Sequence, residues 1–420
     1  MILLPFRSTR LRTLLKTLFV FSLIGIAPNT EGAGIELHAH LFMKKGMTWL
    51  FRGGFHEPLQ AHDWRSRLSS QVNPEALERS QLDLVVATLY AHPFLTLSLR
   101  DSIRNQIQEL KLFLREHPNW ILAKTPSQAQ EGLRAGKKIL LLALEGGSGI
   151  LETEEDLREF VDQEGIRIVT LLHLTDDHWG GVAFLKGFRA LASPWAFFMS
   201  LIHPDFQTLE DGSRIRLNRQ GLTPQGRQAL TRLLKHRVWI DFTHASDASQ
   251  EEMRAQLPHS QYPILYTHTV LRRFHKAERG LSEAQLNTVS QTHGYLGLIP
   301  SEEFLENTPS PSPQCQGGVL AFAHQYQLLA SVLGESSVAT GSDYNGGITH
   351  LRPLQHCHTV HTAFTENDKG FWEIGQALTL WKTLQELGVW HPQTSLLEED
   401  HTHAETFIST WSRAWQTMSP

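Results

Sequence analysis

Seven residues of metal-ligand type stand where strand-like runs of this chain end: His38, His40, Glu145, His173, His244, His268 and Asp343. Five imidazoles and two carboxylates suit Zn²⁺ or a similar divalent ion. Glu145 closes an unbroken apolar run, Lys138 to Leu144, and Gly146 and Gly147 follow it. A carboxylate buried at a strand end needs cations or donors around it, and glycines let other groups come close. Two ions a few ångströms apart, bridged by Glu145, would activate a shared water and polarise a substrate carbonyl. Asp343 could bind metal and also take and return the proton. His173 could stand outside the ligand set and stabilise a developing oxyanion.

No single residue carries this reading. His38 and His40 are two apart, so on a strand they face the same side and can chelate one ion. The chain holds 23 histidines and three His-x-His pairs, at 38/40, 356/358 and 401/403. About one such pair is expected by chance, and only the first closes a strand-like run. A lone histidine is best read as a hydrogen-bonded core or surface residue. The ordered set is the signal. The group His350, His356, His358 and His361 reads as a solvated polar loop, since loop histidines lack a framework. Ser342 beside Asp343 lacks the glycine pattern of a nucleophile elbow.

The elements that must position these residues alternate. Strand-like runs cover Gly34–His40, Asp83–Ala91, Lys138–Glu145, Ile166–His173, Arg237–His244, Pro263–His268, Gly294–Pro300 and Val338–Asp343. Helical patterns cover Pro74–Gln81, Leu99–Glu116, Thr153–Gln163, Thr223–His236, Ser282–Ser290, Gly318–Leu333 and Phe371–Leu387. Asn73, Thr153 with Asp156, Thr223-Pro224 and Ser282 supply start signals. Eight strands alternating with helices predict an α/β fold, a (β/α)8 TIM-type barrel, over residues 34–420, with a C-terminal helical extension. The runner-up is an open doubly wound sheet, but no Gly-rich phosphate loop follows a strand. Long connections at 41–73, 174–222 and 301–317 all follow strands. On a barrel they share the face where active sites lie.

Residues 1–33 read as a signal peptide or N-terminal anchor: Arg7, Arg10, Arg12 and Lys16, then an apolar segment Leu14–Ala27, then small residues. This predicts an exported protein, periplasmic or secreted, membrane-attached if the segment stays. Those residues carry four basic side chains and one acidic, so the net charge of -5 leaves -8 on the rest. There is no basic patch and no case for nucleic acid. Cys315 and Cys357 could pair in an oxidising compartment.

From His38 to the C-terminus the chain resembles the membrane (renal-type) dipeptidases, peptidase family M19 of the amidohydrolase superfamily. The matching stretches are Leu144-Glu145-Gly146-Gly147, Gly221-Leu222-Thr223-Pro224-Gln225-Gly226, Asp241-Phe242-Thr243-His244-Ala245-Ser246-Asp247-Ala248, Thr267-His268-Thr269 and Gly341-Ser342-Asp343-Tyr344. The resemblance implies two zinc ions bridged by Glu145. It places His244 and His268 at one ion and His38 and Asp343 at the other. It implies that His173 contacts the substrate and its tetrahedral intermediate, and that Arg279 binds the substrate carboxylate. A homodimer is also implied. The chain departs from the family at strand one, where His40 stands in place of the usual Asp, and at Asp176, where Asn is common.

These readings converge on an exported zinc hydrolase that cleaves a small amide such as a dipeptide. Alternatives are another hydrolysis on the same barrel (lactone, carbamate or phosphoester) or a non-catalytic member with a degenerate site.

Overall fold

The computed structural model describes residues 34–43, 55, 69–93, 95–186, 193–311, 315–351, 370–391 and 402–418. Ala33–Pro420 form one compact unit. The strands in chain order are β1 (Ile35–Ala39), β2 (Leu84–Leu89), β3 (Trp120–Leu122), β4 (Lys138–Glu145), β5 (Ile166–Thr170), β6 (Phe206–Thr208), β7 (Arg214–Arg216), β8 (Trp239–Asp241), β9 (Leu265–Thr269), β10 (Tyr295–Leu298) and β11 (Val338–Thr340).

Eight of these strands are parallel and close a ring in the order β1, β2, β4, β5, β8, β9, β10, β11. β2 pairs with β4 from Leu84↔Ile139 to Leu89↔Leu144, and β11 returns to β1 at Glu36↔Thr340. No free edge is left in the ring, so the open-sheet alternative falls and the fold is a (β/α)8 barrel. β3 is a ninth short strand. It takes the first half of β4's edge, and β5 takes the second half.

The apolar composition of β4 follows from this closure. From Ile139 to Leu144 its side chains are fully buried, as a strand covered on both faces requires. Each large aliphatic side chain so buried contributes about 1.5–3 kcal/mol. Polar caps start the helices where the sequence predicts. Asn73 accepts from the Ala76 amide at 2.9 Å, and Thr223 from the Gly226 amide at 3.1 Å. Thr153 with Asp156 and Ser282 with Gln285 form reciprocal capping boxes. The first of these helices continues as a π-helix over Leu157–Gln163.

Several boundaries differ from the sequence pattern for backbone reasons. The run Arg237–His244 gives only Trp239–Asp241, because Arg237 (φ 56°) and His244 (φ 69°) lie in the left-handed region. The run from Phe371 becomes helical only at Ile374. Helices Pro126–Arg134, Pro194–Ile202, Asp247–Ala255 and His403–Thr417 lie outside the helical patterns given above, although Thr125-Pro126, Ser193-Pro194, Ser246 and Thr402 with Glu405 stand at their starts. The last is part of the expected C-terminal extension. The 174–222 connection contains an antiparallel hairpin, β6 with β7.

His350 corrects one expectation. It is fully buried, not solvated. Its Nε2–H donates to the Ser342 carbonyl at 2.8 Å, so its Nδ1 accepts a hydrogen bond from the Gln71 side-chain amide at 3.0 Å. His356, His358, His361 and Cys357 lie outside the described residues, as does the segment 1–33. Cys315 is buried and disulfide-bonded. Among the described residues no helix is long and apolar enough to cross a membrane.

Candidate metal centre

All strands of the ring run the same way, so their C-terminal ends share one rim. Six of them bring the predicted ligands there. Glu145, at the end of β4, is almost wholly buried and stands at the centre. Its Oε1 lies 3.1 Å from His244 Nε2, 3.4 Å from His268 Nε2 and 3.5 Å from His38 Nε2. Its Oε2 lies 3.3 Å from His40 Nε2 and 3.4 Å from His173 Nε2. His40 Nε2 is also 3.2 Å from Asp343 Oδ1. One carboxylate therefore gathers five imidazoles, divided between its two oxygens.

These separations suit a divalent ion. Two donors each about 2.0–2.1 Å from one tetrahedral ion lie a little over 3 Å apart. His244 Nε2 and His268 Nε2 are 3.0 Å apart. His38 Nε2 and Glu145 Oε1 are buried with no hydrogen-bond partner, and such orphaned atoms are rare in an interior. Two of the possible ligand groups are His38, His40 and Glu145, and Glu145, His173 and His244. A third groups His38 and His268 with Asp241. Asp241, however, already accepts five hydrogen bonds. They come from the Thr243 and Thr267 amides and from the hydroxyls of Thr170, Thr243 and Thr267. That fills a carboxylate's acceptor sites, so Asp241 braces its neighbours and has no site left for an ion.

Local backbone explains how these side chains reach inward. His244 (φ 69°) and Asp343 (φ 54°) both adopt the left-handed conformation, which is costly for a non-glycine residue and clusters at functional sites. The Asp343 amide donates to the His38 carbonyl at 2.8 Å, tying the end of β11 to β1. Gly147 makes room for Trp179: a Cβ there would sit 2.5 Å from the indole.

Charge follows burial and neighbours. Burial favours a neutral Glu145, but the surrounding imidazoles prevail and hold it well below the usual carboxylate range. Burial pushes His173 down to about 4, so it is a neutral donor near pH 7. Burial, then the Arg279 cation, lowers His244 well below its ordinary value; burial and the neighbouring His38 do the same for His268. His40 goes the other way. Burial opposes its charge, but Asp343 and Glu145 outweigh it and raise it to about 9. His40 thus favours the imidazolium form, its Nε2 facing both carboxylates.

Arg279 is buried beside the cluster, and its Nη2 donates to the His268 carbonyl at 2.9 Å. Burial lowers it to about 10, so it stays charged at neutral pH. The loop that carries it is firmly held. Arg272 donates to the carbonyls of Glu278 and Gly280 on either side, each at 2.8 Å. The Glu278 carboxylate takes the amides of Phe184, Asn218 and Asp247. Asp176 has a similar structural task, accepting from the Val182 amide and the Asn218 side chain.

Two features gain a role only from the structure. Tyr90 follows β2 on the same rim, and its ring meets His173 edge-on at 4.8 Å and lies 5.9 Å from His40. Its strand-end position is the signal that could have found it. Asp241 and Thr267 stood inside matching motifs without a role. Ser342 is buried, and its hydroxyl faces the His38 carbonyl and the Tyr344 amide.

Residues 199–378 match the model of the membrane dipeptidases, peptidase family M19. Solved structures share the fold at low identity. A metallopeptidase from Rhodobacter sphaeroides, liganded with a phosphinate mimic of the dipeptide L-Ala-D-Ala, is 14% identical with a TM-score of 0.62. The match covers 91% of this chain and 99% of that one. The probable dipeptidase PvdM from Pseudomonas aeruginosa is 14% identical with a TM-score of 0.57, over 89% and 98% of the two chains. A further M19 metallopeptidase, dipeptidase AC, gives 14%, 0.60, 91% and 98%.

Proposed function

We propose that the chain is a metallohydrolase of the membrane dipeptidase family (peptidase family M19), whose model matches residues 199–378, and that it is an exported zinc dipeptidase acting through two ions. The observation that carries this reading is the single buried carboxylate, Glu145, with imidazoles on both oxygens. His244, His268 and His38 would serve the ion at Oε1. His40 and Asp343 would serve the ion at Oε2, with His40 giving up its proton to bind. Assigning His38 to Oε1 follows the distances, whereas the family pattern would pair it with Asp343. Nitrogen and carboxylate donors in this mixture favour zinc.

Bound ions of this kind supply Lewis acidity, which makes water nucleophilic near neutral pH and polarises a carbonyl. The side chains do the rest. Asp343 accepts the proton lost by the attacking water and returns it to the amine as the C–N bond breaks, so a dipeptide and water give two amino acids. His173, neutral and held between Tyr90 and His244, donates a hydrogen bond to the oxyanion that forms on the former carbonyl oxygen. Arg279 offers a desolvated cation to the substrate's free carboxylate. The signal-peptide pattern of residues 1–33 supports an exported location, with membrane attachment if the segment is retained.

Substrate end groups test this reading. A free dipeptide should be hydrolysed, and the same dipeptide amidated at its C-terminus should be a much poorer substrate. Equal turnover of the two, or cleavage only of esters and lactones, would overturn it.

A further inference from the structure

We propose that Thr267 and Asp241 form a positioning pair that sets the tautomer of two metal ligands, His38 and His268, through one hydroxyl. The Thr267 hydroxyl lies 2.7 Å from Asp241 Oδ2, 3.0 Å from His38 Nδ1 and 3.0 Å from His268 Nδ1. A hydroxyl has one proton to give and two lone pairs to receive. Both Asp241 oxygens already accept from other donors, so the carboxylate accepts here too and the hydroxyl proton goes there. Both imidazoles must then donate from Nδ1, and each keeps its lone pair on Nε2. Those two Nε2 atoms face Glu145 Oε1, at 3.5 and 3.4 Å.

The arrangement is fixed on every side. Asp241 is held by the Thr170 and Thr243 hydroxyls, each at 2.6 Å, and by the Thr267 amide at 2.9 Å. Thr170, Asp241, Thr267, His38 and His268 are all buried, so water does not compete for these bonds. The pair thus links β5, β8 and β9 to the first ligand of β1. The two ligand rings lie with centroids 3.8 Å apart, and one hydroxyl orients both. A carboxylate or carbonyl behind a ligating histidine fixes its ring and raises its basicity. Here a threonine divides that task between two histidines.

The inference rests on His38 and His268 being ligands and is independent of the substrate. Its test is therefore made without turnover. In the metal-free full chain with ¹⁵N-labelled histidine, long-range ¹H–¹⁵N correlation near neutral pH should show two imidazoles protonated at Nδ1. Both should change in Thr267→Val and neither in Thr267→Ser. Competition with a chelator should give a Zn²⁺ affinity about 10–100-fold weaker for Thr267→Val, with Thr267→Ser close to the parent. An Nε2-protonated tautomer at either histidine of the parent protein would overturn the proposal. So would a valine variant that binds Zn²⁺ like the parent, or serine and valine variants that are equally weak. If the valine variant does not fold, the parent spectrum decides.

Discussion

The Asp343 carboxylate occupies the space that a side chain on residue 346 would need. A Cβ on Gly346 would sit 1.8 Å from Asp343 Oδ1. The backbone at Gly346 has no left-handed φ, so alanine is conformationally allowed there and the carboxylate must yield. Gly346→Ala should therefore fold normally and lose about 10²-fold or more in kcat, the scale of a displaced general base. Steady-state kinetics beside a thermal melt would check it. Unchanged kcat in a folded variant would remove Asp343 from proton transfer.

His40 stands on the Oε2 side of Glu145 with Asp343, apart from His244 and His268. His40→Ala should then weaken one bound ion and spare the other. Metal content after dialysis at graded free Zn²⁺ should fall from two equivalents toward one. Two tight equivalents in the variant would show that His40 is no ligand.

Arg279 is a buried cation whose Nε has no partner. If it reads a substrate carboxylate, Arg279→Met removes a charge-assisted pair worth a few kcal/mol. KM for a free dipeptide should rise about 10²-fold, with kcat changed far less. A C-amidated dipeptide should be little affected. An equal loss on both substrates would assign Arg279 to holding His268 in place.

A fourth prediction concerns stability, away from the centre. His403 opens the C-terminal helix, packs on Trp381 at 5.1 Å and donates from Nε2 to the Glu335 carbonyl at 2.9 Å. Burial pushes it down to about 4. The sign follows from linkage. Below its ordinary value of 6.5 the unfolded chain takes up a proton that the folded chain refuses until about 4. The contribution is whole above pH 6.5, is lost between 6.5 and 4, and is worth about 3 kcal/mol. Denaturant midpoints at pH 7 and pH 4 should drop more for the parent than for His403→Phe. Equal drops would mean that His403 is protonated in the folded protein.

Much of this was legible in the sequence, for identifiable reasons. Parallel strands buried on both faces read as bounded apolar runs, as β2 and β4 do most plainly. Metal-type residues at six strand ends become a centre once the ring closes. Other features depend on tertiary context. His350 lies in a polar stretch, and only the partners Gln71 and Ser342 show it to be buried. The β3 segment is a three-residue strand outside the ring, so the strand–helix alternation that marks the barrel strands does not single it out. Asp241 and Thr267 look like ordinary strand residues until β5, β8 and β9 bring their hydrogen bonds together.

The most direct measurement is dipeptide turnover by chelator-stripped protein titrated with Zn²⁺, with Glu145→Gln treated alike. Hydrolysis should be absent in the stripped protein, rise to a plateau at two equivalents per chain and stay absent in the variant. Turnover without metal, a plateau unaffected by Glu145→Gln, or two bound ions with no hydrolysis of any dipeptide would contradict a zinc dipeptidase centred on Glu145.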